Sequence, residues 1–424
     1  MSERAAAVCA RLAPWRWPAW AWLALMAVVF TLRFPVNFAL YPPFLMDFEV
    51  YRAIARRVLE GHALHLYDPT TSERMIFKYA PIWAVLMTPL GWLSVHAGGI
   101  AWALVCVVAL IVTSWAADRL CRRIVLNPPG WLAPASIGLL VRPLTSGFLL
   151  GQSDVVWAAL VAMFLRYDDQ DRPWRASLWL ALAMSLKLPA LLFLPYLVVR
   201  RRWAMLTRVF AWLAGLNVAA AILLVPYDPM ALFVQWQRAL RTNASAYAFD
   251  IGNQSLLAMA GRLLRADGYG FNVLALNDAA VTWITLAVQA GLFALLLWWP
   301  WRGEDHLRRL LDGSVLMVFM AVFSPSCWVA TYGVLLLPTC VALALAIARP
   351  WRLWRRLAVT LGLLAVVACS VMTHSNFWRA IGMRQIKGET YVYLVLMVLP
   401  ALGLALVWCL WCQRQAVGRT QPSS

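Results

Sequence analysis

Apolar runs long enough to cross a lipid bilayer follow one another along almost the whole of this chain, and no other feature limits its fold so strongly. A helix satisfies its own backbone hydrogen bonds in lipid and needs about 20 predominantly apolar residues to cross the hydrocarbon. On that rule about twelve spans fall near residues 19–40, 80–95, 98–117, 130–149, 152–167, 176–199, 204–226, 279–299, 313–325, 328–348, 357–374 and 390–412. With 63% hydrophobic and 13% charged residues and a mean hydropathy of +0.69, the chain lies outside the range of soluble domains. These features predict an all-α polytopic membrane protein, a single membrane-embedded domain over residues 1–424 with no internal repeat. Its first outer loop is expected at about 41–79 and a second large one at about 227–278.

The formal charge of +18 is gathered in short clusters between apolar runs, as in cytoplasmic loops beside anionic membrane lipids, and this argues against a nucleic-acid partner. Arg200-Arg201-Arg202, Arg302 with Arg308-Arg309, Arg349 with Arg352 and Arg355-Arg356, and Arg414 with Arg419 all vote for one side, the inside. Arg119, Arg122 and Arg123 dissent. The N-terminal Arg4, Arg11 and Arg16 precede a Trp-rich start without a small-residue cleavage site, which reads as an uncleaved first span. The eight cysteines are scattered through apolar segments and read as filler.

Asp47 follows directly on the first long apolar segment and on Pro42-Pro43, which places a carboxylate at a membrane surface. From Phe48 to Leu59 the pattern is that of an amphipathic helix lying in the interface, with Phe48, Tyr51, Ala55 and Val58 on one side and Gly61 ending it. His62 to Lys78 then forms a polar lid before Tyr79-Ala80-Pro81 opens the next apolar run.

Ionisable groups inside spans are unfavourable and mark cavities or function. Lys187 stands about half way along the sixth expected span, where Pro189 interrupts the helix, and no carboxylate lies between Ala181 and Leu194. An anion is its expected ligand. Arg142, and Gln152-Ser153-Asp154 after Gly151, are further polar islands that a short loop could also carry without function. Trp328 and Tyr332, after Ser324-Pro325-Ser326, read plainly as part of an interfacial aromatic belt. Asp168-Asp169-Gln170-Asp171 reads as a polar hairpin rather than a metal motif, and no metal ligands are assigned.

Asp47-Phe48 through Tyr51, Leu66-Tyr67-Asp68-Pro69, Phe77-Lys78-Tyr79-Ala80-Pro81, Gly151-Gln152-Ser153, Lys187-Leu188-Pro189 with Arg200-Arg201-Arg202-Trp203, and Asn253-Gln254-Ser255-Leu256 form an ordered set. In that order they resemble glycosyltransferase family 87, membrane enzymes of the C-type (GT-C) class known for polyprenyl-phosphate-mannose-dependent alpha-1,2-mannosyl transfer. The resemblance implies a GT-C bundle with interfacial helices in its first outer loop. It further implies a bacterial inner-membrane location with the site on the periplasmic side, a polyprenyl-phosphate-sugar donor, a glycolipid or glycan acceptor, and inversion at the anomeric carbon. By it Asp47 is the base; Lys187, Arg142, Gln152, Lys78, Tyr79, Asn253, Gln254 and Arg262 face the donor; and Glu49, Asp68, Trp328 and Tyr332 face the acceptor. Where the family usually carries a histidine after Ser324-Pro325, this chain has none.

Elementary chemistry points the same way. In a single displacement one carboxylate takes the acceptor's proton while cations stabilise the departing phosphate, so Asp47 and Lys187 suffice and a divalent metal is optional. Two other classes fit the composition: a lipid-linked oligosaccharide ligase or polymerase, whose acid need not follow the first span, and a polyprenyl-lipid transporter, in which repeated halves are usual.

Overall fold

The computed structural model describes residues 45–70, 75–266, 272–298, 305–348, 353–372 and 398–417. The expected first span at 19–40, the lid residues 71–74 and residues 373–397, which include the start of the span expected at 390–412, lie outside them. Among the described residues the regular structure is helical, with one isolated bridge between Arg265 and Leu276. Among the described residues four helices are long and apolar enough to cross a membrane: Val95–Cys121, Trp203–Leu224, Asp278–Trp298 and Val329–Ala348. Leu132–Leu139 and Val141–Leu150 together make a fifth candidate, bent by 72°. The bend falls where Pro143 sits in the first turn of the second helix, a position that accepts proline while disfavouring helix just before it.

The chain forms two compact units. The first comprises Leu23–Thr113 and Thr145–Ala246. Its helices are α1 (Met46–Leu59), α2 (Pro81–Met87, continued by a 3-10 turn Thr88–Trp92), most of α3 (Val95–Cys121), and the end of α5 (Val141–Leu150), which follows α4 (Leu132–Leu139). Then come α6 (Asp154–Asp169), α7 (Pro173–Leu186), α8 (Phe193–Val199), α9 (Trp203–Leu224) and α10 (Pro229–Tyr247). The buried face of α1 is Phe48, Val50, Tyr51, Ile54 and Ala55, a helical spacing that sinks into the protein, and Gly61 follows its end at φ 77. Helices α6 and α7 form a hairpin. Its acidic turn is engaged in ion pairs, for Arg202 grips both oxygens of Asp168 and Arg166 meets Asp169 at 3.3 Å.

The second unit holds Ser114–Leu144 and Tyr247–Ser424, with α4, α11 (Leu256–Leu264), α12 (Asp278–Trp298), α13 (Asp305–Val322), α14 (Leu336–Ala348, entered by a 3-10 turn Val329–Leu335), α15 (Leu353–Met372) and α16 (Val398–Val417). Val315 to Val322 of α13 are buried without exception, so the second half of this helix is apolar on all sides, while Asp305, Arg308, Arg309 and Asp312 belong to its first half.

Candidate active site

Proline placement builds the site. Pro189 has no N–H to offer the Ser185 carbonyl one turn back, so α7 stops at Leu186 and Lys187 takes an extended conformation (φ −144, ψ 123). The freed Ser185 carbonyl accepts instead from the Ala80 backbone N–H at 2.9 Å. That one bond brings Lys78-Tyr79-Ala80 to the break that presents Lys187. A second tie comes from α10, where Trp236 Nε1 donates to the Lys78 carbonyl at 2.9 Å.

Asp47 arrives by a different route. Leu45 N–H donates to the Leu149 carbonyl at 3.0 Å, joining the start of α1 to the end of α5. Gly151 stands in the left-handed region at φ +68, and a Cβ there would fall 2.8 Å from Phe48 Cβ and 3.2 Å from Phe48 N. Backbone contact this close sets Asp47 beside Gln152, whose side chain hydrogen-bonds the carboxylate. Gly151→Ala is therefore expected to lower stability by about 1–3 kcal/mol, read by thermal unfolding. An unchanged melting temperature would show that α1 yields freely at this contact.

Around Asp47 the polar side chains gather in two hydrogen-bonded groups. Tyr51, one turn further along α1, has its hydroxyl 2.8 Å from that of Tyr79, which lies 2.7 Å from Ser153 Oγ. Lys187 Nζ donates to Asp154 Oδ1 at 2.5 Å and sits 5.8 Å from the Trp157 ring centre. Lys78, Lys187 and Asp154 all act electrostatically on Asp47. Burial raises the Asp47 pKa above the ordinary carboxylate value against the opposing pull of Lys78, Gln152 and Lys187, and burial lowers that of Lys78 against the pull of Asp47.

The structure thus gathers Asp47, Lys78, Tyr79, Gln152 and Lys187 from four separate stretches of sequence. Glu49 lies half-buried in the first turn of α1. Asp68 is exposed and meets His65 at 2.8 Å, in a loop whose carbonyls at His65, Asp68 and Pro69 all accept from Arg57. Arg142 is half-buried at the second residue of α5.

The remaining sequence candidates belong to the second unit and form a knot of their own. Asn253 Nδ2 donates to the Tyr247 and Pro325 carbonyls at 2.8 Å, while its Oδ1 accepts from Ser255 and Cys327 N–H. Arg262 donates to the Ile251 and Asn253 carbonyls, and Gln254 Nε2 donates to the Gly252 carbonyl. Tyr332 is wholly buried, its hydroxyl donating to the Gln254 carbonyl at 2.9 Å, and Trp328 packs edge-on against Tyr247. The belt reading of Tyr332 gives way to a core one.

Tyr51, Ser153 and Asp154 join the site without a role assigned to them from the sequence, where Gln152-Ser153-Asp154 stands only as a polar island. One signal was present for Asp154, the only acid between Asp118 and Asp168. No group of three His, Cys, Asp or Glu side chains poised for a metal occurs among the described residues.

An apolar groove of about 510 Å³ opens on the same unit. Ile82 and Val85 of α2, Gly215 and Leu223 of α9, and Trp174 and Trp212 are among its lining residues. It begins next to the site, because Ile82 N–H donates to Asn217 Oδ1 and Asn217 Nδ2 donates to Ser185 Oγ.

The described residues are helical, and acids and lysines gather beside an apolar groove. The chain belongs to glycosyltransferase family 87, whose model matches residues 77–325, and it is a glycosyltransferase. It is 26% identical over 419 residues to the polyprenol-phosphate-mannose-dependent alpha-(1-2)-phosphatidylinositol mannoside mannosyltransferase of Mycobacterium tuberculosis, covering 90% of each chain. The protein of the same description from Mycolicibacterium smegmatis is 27% identical over 394 residues, covering 85% of this chain and 84% of the relative. A phosphatidylinositol pentamannoside mannosyltransferase from Mycolicibacterium smegmatis is 28% identical over 299 residues, 67% of this chain and 65% of the relative.

Proposed function

We propose that this glycosyltransferase moves a mannosyl residue from a polyprenyl-phosphate-mannose donor to a glycolipid acceptor on the outer face of a bacterial inner membrane, with inversion. The observation that carries the reading is the gathering of Asp47, Lys78 and Lys187 close enough to act electrostatically on one another, and the relatives' dependence on polyprenol-phosphate-mannose supports the choice of donor. Asp47 accepts the proton of the acceptor hydroxyl as its oxygen bonds to the anomeric carbon. The bond from that carbon to the phosphate oxygen breaks on the opposite face, and its electron pair leaves with the polyprenyl phosphate. Lys187 and Lys78 stabilise the growing negative charge, so a divalent metal is optional. Tyr51, Tyr79 and Gln152 orient the sugar. The wider GT-C bundle of about twelve spans, with α1 at the interface, is the setting this reading assumes.

Purified protein incubated in parallel with polyprenyl-phosphate-mannose, -glucose and -arabinose and a glycolipid extract should consume the mannose donor and yield a new glycolipid. Consumption of another donor would overturn the sugar, and consumption of none would overturn the donor class.

The donor's hydrocarbon tail occupies the groove that starts at Ile82. Gly215 has open space before it, so Gly215→Trp should fold and fill the groove. Its KM is expected to rise about tenfold for a long-chain donor and little for a truncated one, since each buried methylene contributes ~0.8 kcal/mol. Equal KM changes for both donors would place the tail elsewhere.

A further inference from the structure

Lys187 already has an anionic partner before any substrate arrives. Asp154 is wholly buried, one carboxylate oxygen is 2.5 Å from Lys187 Nζ, and the other is buried without a hydrogen-bond partner. A buried carboxylate oxygen without a protein hydrogen-bond partner is unfavourable, and such a group calls for an explanation beyond folding. Asp154 opens α6, where the helix N-terminus favours an anion, and Lys187 follows the end of α7, where the C-terminus favours a cation. The pair is therefore held by its own helices and stands ready without a ligand.

We propose that Asp154 is a positioning residue and resident counter-ion that competes with the phosphate for Lys187, and so sets how tightly the polyprenyl phosphate product is retained. The proposal rests on the reading of Lys187 as a phosphate ligand. With Asp47 ionised, the two acids and two lysines cancel, so an arriving phosphodiester meets a balanced site and draws the ammonium partly away from Asp154. Transfer then leaves a phosphate monoester, whose second negative charge strengthens its hold on the lysines. Asp154 offers Lys187 somewhere to return, which lets the product leave.

Binding, not turnover, tests this, with farnesyl phosphate as the probe and farnesol as its uncharged control, both measured on the full-length protein in detergent. Asp154→Asn keeps the shape and removes the charge, and it should bind farnesyl phosphate at least about tenfold more tightly than the parent. Farnesol should bind both alike. Added to Asp154→Asn, Lys187→Met should erase the gain, since the competition needs both partners. In multiple-turnover assays Asp154→Asn should show a burst, its first turnover faster than the steady state that follows, a split that mere structural damage does not produce. Unchanged or weaker farnesyl phosphate binding by Asp154→Asn, with the parent still preferring the phosphate to farnesol, overturns the proposal and leaves the reading of Lys187 standing. Failure of the parent to prefer the phosphate overturns both. If Asp154→Asn is recovered only when purified with farnesyl phosphate, its dissociation rate on dilution is compared with the parent's and should be slower. If it is not recovered even then, Asp154 is structural and the proposal falls.

Discussion

Asp47→Asn is expected to lower sugar transfer by ~10²–10⁴-fold while the protein stays folded, because an amide keeps the shape of the carboxylate but accepts no proton. Burial raises the Asp47 pKa in the folded protein, so the charged form is the one the fold disfavours. The neutral amide removes that penalty, and the melting temperature of Asp47→Asn should be unchanged or slightly higher at neutral pH. The same shift sets the sign of the pH dependence. A base must be ionised, so kcat/KM should fall as the pH drops through the raised pKa, starting above the range of an ordinary aspartate. Residual activity of Asp47→Asn should lack that acid limb. Transfer within about tenfold of the parent, with the limb intact, would remove Asp47 as the base.

The largest effect on stability is expected at Lys187. Lys187→Met leaves Asp154 wholly buried with no cation at 2.5 Å, and breaking a buried pair from one side destabilises by ~3–5 kcal/mol. Loss of activity in that variant alone would therefore mix unfolding with chemistry. The variant carrying both Lys187→Met and Asp154→Asn has no buried charge left at this point, and most of the lost stability should return. Donor affinity should not. Thermal unfolding and donor KM measured on the three proteins separate the two roles. A double variant with parental donor KM would make Lys187 a purely structural member of the ion pair.

Asp47 and Lys187 stand out in the sequence because one is the first charge after a long apolar run and the other is a lone charge within one, conditions that need no fold to be noticed. Asp154 was hidden by its neighbours: Gln152-Ser153-Asp154 at a helix start has an ordinary capping explanation, and only its pairing with a lysine 33 residues further on distinguishes it. Tyr332 was read as an interfacial aromatic because belts and cores draw on the same residues, and its hydroxyl bond to Gln254 appears only in three dimensions. A count of about 20 residues per span does not locate the interruptions within an apolar stretch. The stretch expected at 176–199 is in fact α7, a 3-10 turn and α8, broken at Lys187 by Pro189. Periodicity places apolar segments, whereas the partner of a freed carbonyl, here Ala80 N–H on Ser185, is a long-range choice that local pattern does not encode.

The hairpin of α6 and α7 also bears on how the chain is made. A translocon releasing either helix alone into lipid would have to pass one uncompensated charge, which is unfavourable by ~2.5–3.5 kcal/mol near the bilayer centre. Asp154 and Lys187 lie at the same end of the hairpin, joined at the other end by the short turn after Asp169. Delivered together, the two helices partition as a neutral unit. The charge that later serves the site is thus cancelled during biogenesis within 34 consecutive residues, from Asp154 to Lys187, and waits on no segment still to be synthesised.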